Sequence, residues 1–138
     1  MIDELYQEVI LDHSKSPRNF GVLDQYTCTA EGKNPMCGDQ LTVYVDIKDD
    51  VVSDVSYRAR GCAISVASAS IMSSIIKGKT IEEVHILFDK YQKLCTGHDV
   101  EDDDDIERLR VLSGVSKFPT RVKCATMSWH AVREACTT

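Results

Sequence analysis

The spacing of apolar residues changes its period along the chain. Between Ile2 and His13 they recur at helical spacing and predict a helix that ends before Pro17, because a residue that precedes proline is disfavoured in helical conformation. Over 40–48 and again over 51–60, apolar and polar residues alternate, as they do in half-buried strands. Asp49-Asp50 stands between the two runs as a tight turn, so the pattern predicts an antiparallel hairpin. One face of its second strand is predicted to carry Val51, Val55, Tyr57 and Ala59.

The rest of the chain predicts one further strand and several helices. Residues 26–31 are β-prone and could pair with the hairpin as a third strand. Helices are predicted over 64–77, 81–94 and 121–135; Gly78 closes the first, and Thr80 with Glu83 forms a capping box for the second. This order predicts an α+β fold, with a small antiparallel sheet of about three strands packed against several helices, in one domain that spans residues 1–138.

Length and charge exclude several classes of protein. A chain of 138 residues can bury a core without disulfides, and it contains no apolar run of the ~20 residues that a membrane span needs. Its first residues lack the pattern of a signal peptide, which leads us to expect a cytoplasmic protein. The net charge of −6 comes from residues 99–107, seven of which are acidic; this run could be a solvated loop or the start of a short helix around Ile106, Leu109 and Leu112. The remainder is nearly neutral, so nucleic acid is not an expected partner.

Three of the six cysteines lie where thiolate chemistry is favoured. Cys37 is two residues from Asp39 in a loop before a strand, Cys62 immediately precedes a predicted helix, and Cys124 lies in the first turn of the last predicted helix. A helix N-terminus stabilises a thiolate, and three thiolates with one carboxylate supply the four ligands of a tetrahedral zinc site. Spacings of 25 and 62 residues between these cysteines leave open the alternative that each is simply a small buried residue.

The other cysteines have less suggestive positions. Cys28 lies in a strand-like run, Cys95 ends a predicted helix, and Cys136 lies near the end of the last one. A helix C-terminus disfavours a thiolate, and free cysteines are commonly buried as small apolar residues. All three are therefore predicted to pack rather than to react.

Four ordered motifs closely resemble those of the iron–sulfur assembly proteins of the NifU N-terminal (IscU/SufU) family. They are Asp12–Gly21 (DHSKSPRNFG), Asn34–Asp39 (NPMCGD), Gly61–Ser65 (GCAIS) and Arg121–Ala125 (RVKCA) with Trp129. The residue before the last cysteine is a lysine rather than a histidine, the segment just upstream holds a single proline, and an extra segment spans residues 99–116. These three features resemble the SufU branch of the family.

The resemblance implies a SufE/NifU-like fold and a zinc site formed by Cys37, Asp39, Cys62 and Cys124. It further implies that Cys37 accepts persulfide sulfur from a SufS-like cysteine desulfurase, as in a zinc-dependent sulfurtransferase, and that downstream scaffold or acceptor proteins receive it. Two alternatives remain open. The same ligands could carry a labile [2Fe–2S] cluster on an assembly scaffold, since an aspartate ligand weakens cluster binding. Or zinc could stabilise an interaction module that has no sulfur chemistry.

Overall fold

The computed structural model describes residues 4–34 and 38–137. Along the chain, one helix precedes a three-stranded sheet and the other described helices follow it. The elements are α1 (Glu4–Lys15), β1 (Cys28–Asn34), β2 (Asp39–Lys48), β3 (Val51–Arg60), α2 (Ala63–Ile76), α3 (Ile81–Cys95), α4 (Asp104–Leu109), a 3₁₀ helix (Arg110–Lys117) and α5 (Pro119–Thr137). The predicted α+β class and the third strand are therefore confirmed. No described helix is long and apolar enough to cross a bilayer.

The sheet is antiparallel throughout, in the order β1-β2-β3. β2 and β3 form the predicted hairpin, and its turn residues Asp49 and Asp50 have φ angles of 54° and 62°. Two successive residues at positive φ give the turn whose twist matches that of the flanking strands, and aspartate tolerates this conformation better than most residues. β2 and β3 have the same length, so the first residue of β2, Asp39, lies near the last residue of β3, Arg60.

A β-bulge changes which residue of β3 faces the core. The register shifts between Asp46 and Ile47, so that one extra residue of β3 is accommodated near the turn. As a result Val52 is fully buried while Val51 is only half-buried. The predicted alternation through Val51 is therefore wrong at the start of β3, although Val55 and Tyr57 are buried as predicted.

The helices α2 and α5 pack together and against the sheet. Serines 65, 68, 70 and 73 of α2 are buried. Ser68 faces α5, whereas the Ser70 and Ser73 hydroxyls contact residues of α1 and of the loop that follows it. The Ser68 hydroxyl and the Tyr91 hydroxyl both donate hydrogen bonds to the carbonyl oxygen of Ala125, the latter over 2.8 Å. Since Ser68 belongs to α2 and Tyr91 to α3, these two hydrogen bonds fix the position of α5 relative to both helices.

Local signals at the helix ends are confirmed. Gly78 follows α2 with a φ of 89°, and Thr80 caps α3 in the predicted box with Glu83. The last residues of the acidic run form the beginning of the short helix α4, so of the two predicted alternatives the short helix is confirmed. Asp103 caps that helix by accepting from the Ile106 N–H over 2.8 Å, and Asp105 pairs with Lys79 at 2.7 Å. The run is thus partly neutralised by neighbouring bases.

Candidate metal centre

Asp39, Cys62 and Cys124 meet at one end of the sheet. Asp39 is the first residue of β2, Cys62 is the N-cap of α2, and Cys124 lies on α5. One donor atom from each, a carboxylate oxygen or a sulfur, lies within 4.8 Å of the others. Three of the four predicted site residues are therefore brought together, although 85 residues separate Asp39 from Cys124.

The Asp39 carboxylate is the centre of this cluster. Its side chain is almost completely buried, with 1% of the residue's surface exposed. Oδ1 accepts a hydrogen bond from the Cys62 backbone N–H over 2.9 Å. Oδ2 lies 3.0 Å from Cys124 Sγ and 3.7 Å from Cys62 Sγ. A buried carboxylate is stable only when hydrogen bonds or a cation compensate its charge, so these contacts indicate a site built around a ligand oxygen.

Gly61 makes room for the carboxylate. Its φ is 156°, and a Cβ added there would lie 2.6 Å from Asp39 Cγ. Since real Cβ atoms do not approach other atoms so closely, any side chain at position 61 would displace the Asp39 carboxylate. Gly61 opens the GCAIS motif, but the sequence alone does not reveal this role.

We expect Gly61→Ala to lose bound metal. The added methyl group pushes Asp39 away from both sulfurs, so the metal content per chain should fall by at least half. Gly78→Ala is the matched control: Gly78 also has a positive φ, but nothing lies within 4 Å of its added Cβ. Both variants should lose about 1 kcal/mol of stability through the strained backbone. Elemental analysis checks the difference, and equal metal content in the two variants would contradict this role of Gly61.

Asn34 is a site neighbour that sequence reasoning missed. Its side-chain N–H donates to Cys124 Sγ over 3.4 Å, and the residue is 4% exposed. It is the last residue of β1 and pairs with Asp39 across the sheet. A donor to a sulfur stabilises the thiolate form and orients it. The only available signal was its place in the NPMCGD motif, which did not distinguish an amide donor from a turn residue.

The position of Cys124 differs from the prediction. Helix α5 begins at Pro119 rather than at Arg121, which places Cys124 at the sixth residue of the helix, in its second turn. The favourable field of a helix N-terminus falls off within the first turn, so it does not explain this thiol. Cys124 is instead held by burial and by its contacts with Asn34 and Asp39. Cys62, by contrast, lies directly at the start of α2 as predicted and is exposed.

Cys37, the fourth predicted ligand, lies outside the described residues. The structure does describe the strands on both sides of it: β1 ends at Asn34, which contacts Cys124, and β2 begins at Asp39, which belongs to the cluster. The other three cysteines are elsewhere, at the start of β1 (Cys28), the end of α3 (Cys95) and the last turn of α5 (Cys136). Their predicted exclusion from the cluster agrees with this placement.

The donor set fits zinc. In a tetrahedral site with two or three thiolates and one carboxylate oxygen, neighbouring donors are separated by roughly 3.5–3.8 Å. The observed separations of 3.0 and 3.7 Å from Asp39 Oδ2 to the two sulfurs require only small adjustments to reach that range. With three donors on the described elements, a fourth position is left for a further side chain or a water.

A cavity of about 610 Å³ opens beside the two cysteines. Its lining is mostly apolar and includes Ile64 and Phe118, and Lys117 and Arg121 supply positive charge. The Arg121 guanidinium lies over the Phe118 ring at 4.9 Å from its centroid. The site can therefore be reached from outside along a path whose charge favours anionic groups, thiolates and persulfides included.

The acidic run does not contribute to the described cluster, and we expect it to be dispensable for metal binding. Replacing residues 102–105 by asparagine should leave the metal content unchanged, because none of them lies among the three clustered donors. It should lower the free energy of unfolding by about 1–2 kcal/mol, since ion pairs such as Asp105–Lys79 and Asp102–Arg110 are lost. Urea unfolding and elemental analysis measure the two effects. A variant that folds but has lost its metal would show that the run is part of the site.

Comparisons with a family model and with known proteins agree on one family. A family model described as NifU-like N terminal domain matches residues 5–125. The zinc-dependent sulfurtransferase SufU of Bacillus subtilis is 41% identical over 133 residues, covering 96% of this chain and 90% of the relative. The iron–sulfur cluster assembly scaffold protein IscU of Thermotoga maritima is 37% identical over 131 residues, covering 95% and 92%.

Solved structures agree with the sequence relatives. The crystal structure of a putative iron–sulfur cluster assembly scaffold protein for the SUF system, from Fervidobacterium islandicum, superposes with a TM-score of 0.87 at 32% identity and covers 94% of each chain. A NifU-like protein from Brucella abortus, at 23% identity and a TM-score of 0.89, shows the same fold. The chain therefore belongs to the family of NifU-like N-terminal domains.

Proposed function

We propose that this protein acts in iron–sulfur cluster biogenesis as a zinc-dependent sulfur acceptor that takes persulfide sulfur from a cysteine desulfurase. The observation that carries the proposal is the convergence of Asp39, Cys62 and Cys124 at the end of the sheet where the connection from β1 to β2, which contains Cys37, lies in the sequence. The similarity to a zinc-dependent sulfurtransferase over nearly the whole chain supports the same function.

We assign the metal ligands as Cys37, Asp39, Cys62 and Cys124. The first of these rests on chain connectivity and on the resemblance. Cys37 is two residues from Asp39 in the sequence, and two peptide units span at most ~7 Å. A cysteine on such a short tether to a buried ligand is well placed to supply the fourth donor. Bound zinc would keep the thiolates deprotonated without adding redox chemistry of its own.

The four ligands differ in how firmly the fold holds them. Asp39 is fixed by the Cys62 N–H and by the space that Gly61 leaves, and Cys124 is buried in α5. Cys37 belongs to the connection between two strands, and Gly38 beside it has a φ of 71° with nothing within 4 Å of an added Cβ. A ligand on such a connection can leave with little disturbance of the core, so Cys37 is the thiolate that becomes available.

The transfer step needs only the Cys37 thiolate and the partner's persulfide. The Cys37 sulfur attacks the outer sulfur of the persulfide and forms a new sulfur–sulfur bond to it. The bond between that outer sulfur and the partner's cysteine breaks, and the partner's cysteine leaves as a thiolate. Cys37 now carries the persulfide, and no electrons are gained or lost overall. The cavity beside Cys62 and Cys124 leaves room for a loop of the partner to approach.

A second candidate function is an assembly scaffold that holds a labile [2Fe–2S] cluster as its cargo. It is favoured by the similarity to an IscU scaffold protein, which is nearly as extensive as that to the sulfurtransferase. The same donor set would serve, because thiolates bind iron–sulfur clusters and an aspartate weakens retention. The two functions differ in what the purified protein contains.

The proposal is tested with protein purified without added metal and then incubated with a cysteine desulfurase and cysteine. We expect one zinc per chain, no visible absorption, faster desulfurase turnover, and a mass increase of one sulfur atom on the chain. Visible absorption with iron and acid-labile sulfide, and no persulfide on the chain, would instead establish the scaffold. Zinc without persulfide and without stimulation of the desulfurase would leave the third alternative, an interaction module.

A further inference from the structure

The two edges of the sheet are protected differently. β3 forms one edge, and other segments of the chain cover it at both ends. Near its end the Tyr57 carbonyl oxygen accepts from the Gly21 N–H over 2.8 Å. Near its beginning Val52 donates to the Lys79 carbonyl oxygen and accepts from the Gly78 N–H, each over 2.8 Å. Proteins commonly cover a sheet edge in this way, because an open edge can pair with a strand of another chain.

β1, at the opposite edge, has no such cover in the described part of the chain. It pairs with β2 on one side, and no backbone hydrogen bond joins residues 29–33 to any other described segment. Helix α5 packs on one face of β1, where Ala30 and Asn34 are buried. Glu31 and Lys33, on the other face, are exposed. A strand of seven residues with an open edge is a template for a further strand.

A groove of about 550 Å³ lies between β1 and α5. Residues 31–34 form one side of it, and residues from the stretch 123–134 of α5 form the other. The backbone of β1 comes close to the helix here, since a Cβ added to Gly32 would lie 2.9 Å from Met127 Cγ. The groove shares no lining residue with the cavity beside the metal centre, so a strand added here leaves that cavity open.

The exposed face of β1 carries two opposite charges without partners. Glu31 and Lys33 form no ion pair with any described residue. Across the pairing with β2 they lie opposite the neutral residues Thr42 and Gln40. Residues directly opposite each other on neighbouring antiparallel strands interact, and opposite charges there are stabilising whereas like charges are destabilising. Both charges are therefore available to a strand that pairs with the open edge.

These charges select one register for two copies of β1 that pair antiparallel about a two-fold axis. If Glu31 lies opposite Glu31 of the second copy, or Lys33 opposite Lys33, like charges meet. If Gly32 lies opposite Gly32 of the second copy, each Glu31 lies opposite a Lys33. A shift by a single residue would place exposed residues opposite buried ones, so it does not offer an alternative. The register centred on Gly32 therefore gives two ion pairs, and the nearest registers that keep the faces aligned give repulsion.

We propose that the protein associates with a second copy of itself through the open edge of β1, which joins two three-stranded sheets into one sheet of six strands. The interface is isologous, because both copies use the same residues and the contact closes after two chains. The second copy's strand lies along the groove beside α5, and small residues, Ala30 and Gly32, face the helix side of the joined strands.

A concentration series tests the proposal on the whole chain. The mass, measured by light scattering after size-exclusion chromatography, should rise from that of one chain to that of two as the concentration increases. Glu31→Lys and Lys33→Glu each place like charges opposite each other, so both variants should keep the mass of one chain at concentrations where the unsubstituted protein is dimeric. The double variant exchanges the two charges and should associate as the unsubstituted protein does.

Mixing the two single variants gives the sharpest result. Each is repelled by its own copy, but the two lysines of one face the two glutamates of the other, so an equimolar mixture should form a heterodimer. Asp99→Lys is the matched control, because it changes the net charge as Glu31→Lys does at an exposed site outside β1, and it should not alter association.

Several outcomes would overturn the proposal. They are the mass of one chain at every concentration, a mass above that of two chains, association that the single variants do not weaken, and a mixture of the single variants that fails to associate. Since both substituted side chains are exposed, circular dichroism should show unchanged folding in every variant. The concentration series of the unsubstituted protein decides the question even if a variant folds poorly.

Discussion

Replacing Cys37 by serine should abolish persulfide formation on the protein and return the turnover of a cognate cysteine desulfurase to its basal rate. Serine cannot form a persulfide, and the two thiols of the described cluster are held differently, Cys62 as the N-cap of α2 and Cys124 within α5. Zinc should be partly retained, because Asp39, Cys62 and Cys124 still converge and a water can complete the site. The measurement is the persulfide mass shift, located by peptide mapping, together with zinc content.

Substitutions of the firmly held ligands provide the contrast. Cys62→Ser and Cys124→Ser remove sulfurs that lie 3.7 and 3.0 Å from the Asp39 carboxylate, so both variants should lose zinc as well as sulfur acceptance. Cys28→Ser is the matched control, since Cys28 lies at the far end of β1 and should leave zinc and persulfide unchanged. If the added sulfur maps to Cys62, Cys124 or Cys28 while Cys37 stays unmodified, the assignment of Cys37 as acceptor is wrong.

Features that depend on neighbouring residues were predictable from the sequence. The hairpin follows from two alternating runs and an Asp-Asp turn, and the start of α3 follows from Thr80 and Glu83. Each signal is contained within a few residues, and the backbone or side chains that satisfy it lie in the same segment. For the same reason the bulge near Ile47 could not be predicted: it is a property of the pairing between β2 and β3, which the pattern within one strand does not record.

The metal centre was predictable only in part, because its contacts connect distant segments. The residue types suited zinc, but their spacing left the simple buried-cysteine alternative open until the resemblance was considered. Asn34 and Gly61 act through Cys124 and Asp39, which are 90 and 22 residues away from them along the chain. An amide donor and a missing Cβ have meaning only once the chain is folded, so their roles come from the structure alone.

The early start of α5 shows how a correct ligand can be predicted for a wrong reason. Cys124 was selected as a thiol at a helix N-terminus, whereas it lies in the second turn. What places its sulfur beside Asp39 is the packing of α5 on α2 and α3, fixed by the hydrogen bonds from Ser68 of α2 and Tyr91 of α3 to the Ala125 carbonyl next to it. The stability of this packing and the occupancy of the site are therefore coupled.

That coupling leads to the second large effect: removal of the metal should lower the melting temperature by roughly 10–15 °C. The ligands lie on β2, at the start of α2 and on α5, so a bound metal joins three elements that otherwise depend on packing alone. A ligand at a thousand times its dissociation constant stabilises the folded state by about 4 kcal/mol, and in a chain of this size each kcal/mol shifts the melting temperature by about 3 °C. Metal binding is in this sense part of the folding free energy.

The measurement is thermal unfolding before and after chelation, with metal removal verified by elemental analysis. Cys62→Ser, which should already lack metal, serves as the control: chelator should leave its melting temperature unchanged, and that temperature should be close to the value of the chelated unsubstituted protein. Re-addition of zinc should restore the higher melting temperature only where Cys62 is present. An unchanged melting curve after complete metal removal would mean that Asp39 and the two thiols hold their places without the ion, and that the packing of α5 on α2 fixes the site independently.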